Sequence, residues 1–218
     1  MTRTGLRGGS FNPAHQGHLG LSLAAIEALG LDEIWWLVSP GNPLKEPAGM
    51  APLAARFASA EQIAGPHQPD EPPIRVTAIE RELGTIYTVD TLEALVARYP
   101  ERRFIWLMGA DNLAQFHLWR DWRKIARAVP IAVATRPGYD DAALKAPAWG
   151  WLRRFVQPAA IARNWTEWRP PALVLLPVPP DRTSATALRA ADPDWHESVI
   201  ETFQPADLRD GVTRKPLT

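Results

Sequence analysis

The run Gly8-Gly9-Ser10-Phe11-Asn12-Pro13-Ala14-His15-Gln16-Gly17-His18 restricts this chain more than any other part of it. It follows a short apolar segment around Leu6 and precedes Leu19, Leu23 and Ile26, spaced as on one stripe of a helix. The order is therefore strand, tight loop, helix. Gly8 and Gly9 let the backbone run close to a ligand, and a helix opening near Gly17 turns its unpaired N–H groups and positive dipole end toward the loop. Such a junction suits an anion. If the helix starts near Gln16, His15 and His18 lie on the same side of its first turn, as two donors facing that anion. Each feature alone has a plain alternative: a scaffold turn for the glycines, a cap or a solvated face for the histidines. A zinc site on the two histidines is disfavoured, because the chain has no cysteine and no further ligand at suitable spacing.

Beyond this junction, short apolar runs alternate with helical patterns. Ile34–Val38, Ile74–Val76, Phe104–Met108, Ile131–Ala134 and Leu173–Leu176 read as five more strands. Helices are expected up to Gly30, over about 52–64, from Thr88, over Leu113–Phe116 and from Ser184. The alternation predicts an α/β fold, a Rossmann-like doubly wound parallel sheet in three α/β/α layers. A length of 218 residues suits a single domain over 1–218, with a C-terminal helical portion from about 184.

In such sheets ligands bind beyond the carboxyl ends of the strands. Lys45, in the Pro- and Gly-rich loop after the second strand, is a candidate phosphate contact there. Gly109 and Asp111 follow the fourth strand at the same edge, although Asp111 serves equally well as an N-cap for the next helix. Thr88, or Thr85 if the boundary is earlier, is the expected cap of its helix. Ser184 and Thr186 give a hydroxyl-rich helix start with Arg189 one turn further on, where ordinary capping explains the hydroxyls as well as phosphate binding does. Trp122 and Ile125 are expected in the core. From Asp140 to Pro170 the pattern fades, and Trp149, Trp151, Trp165 and Trp168 suggest either a surface insertion or a contact in a homo-oligomer.

The bulk numbers exclude several classes. With 24 basic and 24 acidic residues the net charge is zero, which argues against a nucleic-acid-coating surface and confines anion recognition to a local site. No run approaches the ~18 apolar residues of a membrane span, and the N-terminus lacks an apolar signal region, so the expected location is cytoplasmic. The absence of cysteine removes disulfide and thiol chemistry.

The Gly8–His18 run resembles the first signature, G-G-x-F-x-P-x-H-x-G-H, of the nucleotidyltransferase superfamily that includes the nicotinate mononucleotide adenylyltransferases. Further resemblances are the Gly84–Thr88 stretch to the S-Y-T-x-D-T-L segment, Gly109–Asp111 to G-x-D, Arg136–Tyr139 to R-P-G-Y, and Thr183–Arg189 to the second signature, I-S-S-T-x-I-R. Together they cover about residues 4 to 190. The resemblance implies transfer of the adenylyl group of ATP to nicotinate mononucleotide, giving deamido-NAD and pyrophosphate. It implies catalytic roles for His15, His18 and Arg189, and ATP contacts from Gly8, Gly9, Ser10, Phe11, Gly109, Asp111, Arg136, Ser184 and Thr186 besides. For nicotinate mononucleotide it implies Lys45, Tyr87, Thr88, Asp111, Trp119 and Arg120, with Trp119 stacking on the pyridine ring. Mg²⁺ is expected as the cofactor, held mainly by ATP phosphates rather than by a protein metal site. Two positions depart from the family pattern: Leu44 where many relatives have His, and Ala185 where the second signature has Ser. The alternatives are pantetheine-phosphate adenylyl transfer within the superfamily and a non-enzymatic nucleotide sensor.

Overall fold

The computed structural model describes residues 1–41, 49–66, 70–135, 141–178, 183–203 and 207–217. Seven strands, β1 (Thr2–Gly9), β2 (Glu33–Val38), β3 (Ile74–Thr77), β4 (Arg102–Gly109), β5 (Ile131–Thr135), β6 (Val156–Gln157) and β7 (Leu173–Pro177), form one sheet in the order β3-β2-β1-β4-β5-β7-β6. Every pairing is parallel. The chain winds outward from β1 to β3, returns to the centre at β4, and winds the other way. This is the expected doubly wound sheet, with its switch point between β1 and β4.

The strands are apolar throughout because both faces are covered. Ile34, Trp36 and Val38 of β2, with Ile105 and Leu107 of β4, join one core. Trp35 and Leu37, with Phe104, Trp106 and Met108, join the other. On the first face lie α1 (Gln16–Leu29) and α2 (Leu53–Ala64); on the second lie α3 (Ile79–Leu83), α4 (Thr88–Arg98), α5 (Ala110–Gln115) and α6 (Trp122–Ala128). Two short helices, α7 (Asp141–Lys145) and α8 (Pro147–Leu152), precede β6, and α9 (Ala185–Ala191) and α10 (Trp195–Thr202) follow β7. Among the described residues no helix is long and apolar enough to cross a membrane. Gly30 ends α1 with φ 59°, a left-handed cap that glycine adopts without steric cost. Trp122 and Ile125 are buried, as their spacing requires.

Four expectations need correction. The short β6, with only two residues and no readable pattern, makes the expected sixth strand β7. Asp111 is not an N-cap: Gly109 holds that position and Asp111 is the second residue of α5. Thr88 is the first residue of α4 and Tyr87 its cap position, while the Thr85 hydroxyl bonds to that of Thr91 at 2.9 Å. The tryptophans of 140–170 are not a surface insertion. Trp165 is buried and its Nε1 donates to the carbonyl of Leu29 at 3.1 Å, while Arg163 Nη2 donates to that of Glu27 at 2.8 Å. Both satisfy carbonyls that the last turn of α1 leaves open, and the arginine adds a cation at its negative dipole end. Trp151 meets Trp122 edge-on, with ring centroids 5.4 Å apart, on the opposite face.

Candidate active site

Because β1 and β4 are neighbours and α1 and α5 leave them toward opposite faces, a crevice opens beyond Gly9 and Gly109. The residues expected to bind ligand gather on its two walls.

The first wall is the Gly-rich loop. α1 begins at Gln16, with His15 as the cap residue in an extended conformation. The His15 and His18 ring centroids are 3.9 Å apart, and both residues are half-buried. The backbone N–H of His15 donates to His18 Nδ1 at 3.1 Å, and the N–H of His18 donates to the carbonyl of His15 at 2.8 Å. With Nδ1 accepting, neutral His18 carries its proton on Nε2. Its backbone is fixed in turn, because Trp36 Nε1 donates to Ser22 Oγ and Ser22 donates to the carbonyl of His18, both at 2.9 Å.

Phe11 does not offer its side chain to a nucleotide. Its ring is 1% exposed, lies 5.2 Å from that of Trp36 and leans on the imidazole of His18 at 4.9 Å. At φ 46° its backbone is left-handed, an arrangement costly for a bulky residue and held here by that burial. Phe11 therefore supports His18 through its ring.

Gly8 is small for a reason the sequence did not show. A Cβ there would sit 2.6 Å from Trp106 Cη2, so the indole of β4 crosses the end of β1. Trp106 in turn meets Trp119 at 6.2 Å with the rings nearly perpendicular, and Trp119 meets Phe116 at 5.4 Å. This aromatic chain joins the phosphate wall to the wall expected to hold the pyridine. There Arg120 lies 4.6 Å above the Tyr87 ring and 3.8 Å from Asp90 Oδ2, so Tyr87, Thr88 and Arg120 meet at the start of α4. Trp119 and Tyr87 are half-buried, leaving part of each ring accessible. Asp111 is exposed at the crevice edge, and its carboxylate occupies the space a Cβ on Gly109 would need.

The C-terminal signature closes on the first wall. Ser184 caps α9, accepting from the N–H of Ala187 at 3.1 Å. Arg189 donates through Nη1 to the carbonyl of Asn12 at 2.5 Å and through Nη2 to Thr186 Oγ1 at 3.3 Å. Thus Arg189, Thr186, His15 and His18 are brought together by one loop. Lys45 and Arg136 lie outside the described residues.

Sequence reasoning missed the support beneath that loop. Arg56, 2% exposed, and Ser59, 4% exposed, reach from α2 into it. Arg56 sits on the apolar stripe of its helix with Leu53, Phe57 and Ala60, and a charged residue on such a stripe was the available signal. Burial lowers its pKa to about 10, within the range where it stays charged at neutral pH.

A family model described as cytidylyltransferase-like matches residues 6–191. A protein of Erythrobacter litoralis (strain HTCC2594), named probable nicotinate-nucleotide adenylyltransferase, is 60% identical over 193 residues, covering 88% of this chain and 86% of that protein. A protein of Parvibaculum lavamentivorans (strain DS-1 / DSM 13023 / NCIMB 13966) with the same name is 51% identical over 187 residues, covering 86% and 90%. Among solved structures, Plasmodium falciparum nicotinic acid mononucleotide adenylyltransferase complexed with NaAD shares the fold. Its TM-score is 0.64 at 14% identity, over 94% of this chain and 97% of that one.

Proposed function

The chain belongs to the cytidylyltransferase-like family, and on that premise we propose that it transfers the adenylyl group of ATP to nicotinate mononucleotide in NAD biosynthesis. A phosphate oxygen of the mononucleotide attacks the α-phosphorus, the bond from that phosphorus to the bridging oxygen of the β-phosphate breaks, and deamido-NAD and pyrophosphate result. No covalent enzyme intermediate is needed. Positioning and charge neutralisation supply the catalysis.

The observation that carries this reading is the convergence of His15, His18 and Arg189 on one Gly-rich loop. His18, with its proton on Nε2, donates to charge that develops on the transferring phosphoryl, and Arg189 presents a planar fork to phosphate oxygens. The family resemblance adds Lys45 as a contact to the mononucleotide and Arg136 as one to ATP. Asp111 meets the nucleotide, and Trp119 and Tyr87 hold the pyridine, whose carboxylate faces Arg120 and the N–H groups at the start of α4. Magnesium enters with ATP as the expected cofactor, held mainly by the phosphates. When bound, that ion neutralises charge on the departing pyrophosphate. The test is pyrophosphate release from MgATP with nicotinate mononucleotide, nicotinamide mononucleotide or phosphopantetheine. Turnover with the first is the expected result, turnover only with the third reassigns the substrate, and ATP binding without turnover makes the chain a sensor.

A further inference from the structure

We propose that Arg56 and Ser59 of α2 are positioning residues for the triphosphate, holding the Gly-rich loop in its anion-receiving form, and that bound phosphate is the counter-charge of Arg56. The inference rests on the adenylyl-transfer reading above and adds to it a pair of residues outside its signatures.

Arg56 spends its donors on the backbone. Nε donates to the carbonyl of Ala51 at 2.9 Å, Nη1 to those of Ser10 at 2.8 Å and Ser39 at 2.7 Å, and Nη2 lies 3.5 Å from that of Pro40. Ser10 belongs to the loop after β1, while Ser39 and Pro40 belong to the loop after β2. One guanidinium therefore ties together the ends of two adjacent strands. Ser59, one turn along the same helix, accepts the backbone N–H of Ala14 at 3.1 Å, so α2 holds the Gly-rich loop near both its start and its end. Asn12, between these two points, is fixed by Gly49 and Ala51: its Nδ2 donates to the first at 2.8 Å and its Oδ1 accepts from the second at 3.2 Å.

The electrostatic consequence has two parts. Carbonyl oxygens at a strand edge repel phosphate, and those of Ser10, Ser39 and Pro40 are drawn toward α2 by a cation. In addition, among the described residues no carboxylate pairs with Arg56. A buried guanidinium held by neutral carbonyls is incompletely compensated, and it favours an anion nearby more strongly than an exposed one does. The loop it holds is where the triphosphate is expected.

Isothermal titration of the full chain with MgATP and, separately, with nicotinate mononucleotide tests this. Arg56→Lys keeps the charge but cannot span the carbonyls, and it is expected to weaken MgATP binding roughly 10- to 100-fold, with nicotinate mononucleotide within about twofold of the parent. Ser59→Ala, a smaller change, is expected to weaken MgATP about threefold or more with the same selectivity. Unchanged MgATP affinity in Arg56→Lys, or an equal loss for both ligands, overturns the inference. If Arg56→Lys does not fold, Ser59→Ala decides by the same criterion. A parent that fails to bind MgATP removes the functional reading itself, whereas a parent that binds it while both variants match the parent removes only the role of α2.

Discussion

Arg189 Nη1 meets the carbonyl oxygen of Asn12 at 2.5 Å, joining residues 177 positions apart. The same guanidinium reaches the hydroxyl of Thr186 through Nη2, so its fork is oriented before any nucleotide arrives. Arg189→Lys keeps the charge but cannot bond the carbonyl and hold two phosphate oxygens together. The expected outcome is a fall in kcat of roughly tenfold or more with little change in unfolding temperature, checked by steady-state kinetics and thermal melts.

His18 is set for donation by the bond from the backbone of His15 to its Nδ1. His18→Ala removes a preorganised donor and is expected to lower kcat by about 100- to 1000-fold, with a much smaller effect on ATP binding. His15→Ala acts in the same direction. Single-turnover assays at saturating MgATP check both, and parental rates in both would remove the histidines from the chemistry.

Most of the architecture is legible in residue patterns, and the exceptions have physical causes. Continuous apolar runs mark the long strands because the sheet is covered on both faces. β6 and α3 escape because two and five residues carry no period. At the site, the histidine pair and Arg189 stand out by local spacing, whereas Arg56 shows only as a charge on an apolar stripe: what it holds cannot be read, because its partners lie 5 to 46 positions away and are backbone carbonyls, which leave no mark on side-chain identity. Phe11 shows the reverse failure, since a residue inside a ligand signature belongs to the core. The need for a glycine at position 8 is visible in the motif, yet what presses against it is Trp106, 98 positions away in the chain by difference of the two numbers.

Trp119 presents a half-buried ring, whereas Arg120 and the start of α4 present donors. Trp119→Ala is expected to raise KM for the acid and amide mononucleotides alike and to leave the ratio of their kcat/KM values nearly intact. The parent should prefer the acid by about 100-fold, as two charge-assisted bonds would give. Competition kinetics with both substrates measure the ratio, and its collapse only in the variant would move discrimination onto Trp119.

Glu80 is 7% exposed and its carboxyl is pushed up to about 7 by burial, against the opposing hydrogen bond from Thr91 at 3.0 Å. The native state thus binds this proton more tightly than the unfolded chain does. The contribution of this group to stability is fully present below the ordinary carboxyl range and is lost as pH rises from about 4.5 to about 7. Glu61, raised to about 7 by burial and then by the charge of Asp210, adds to the same trend. Glu80→Gln is expected to stabilise the protein at pH 8 by on the order of 2 kcal/mol and to gain little at pH 4, measured by urea unfolding.

Gly8→Ala forces a methyl group against the indole of Trp106. The expected result is a loss of both stability and turnover, by about 1 to 3 kcal/mol in the former. Trp106→Leu in the same chain should recover part of the stability, and denaturant titration of the single and double variants measures the coupling.

The bond between Arg189 and Asn12 also sets an order of events during synthesis. β1, made before every other strand, lies inside the sheet beside the central β4, yet the loop that leaves it gains its arginine only after α9 has been made. A chain ending before residue 189 would lack that bond together with α10 and the core residues Leu208 and Leu217, so the loop after the first strand is completed by a segment that follows the last one.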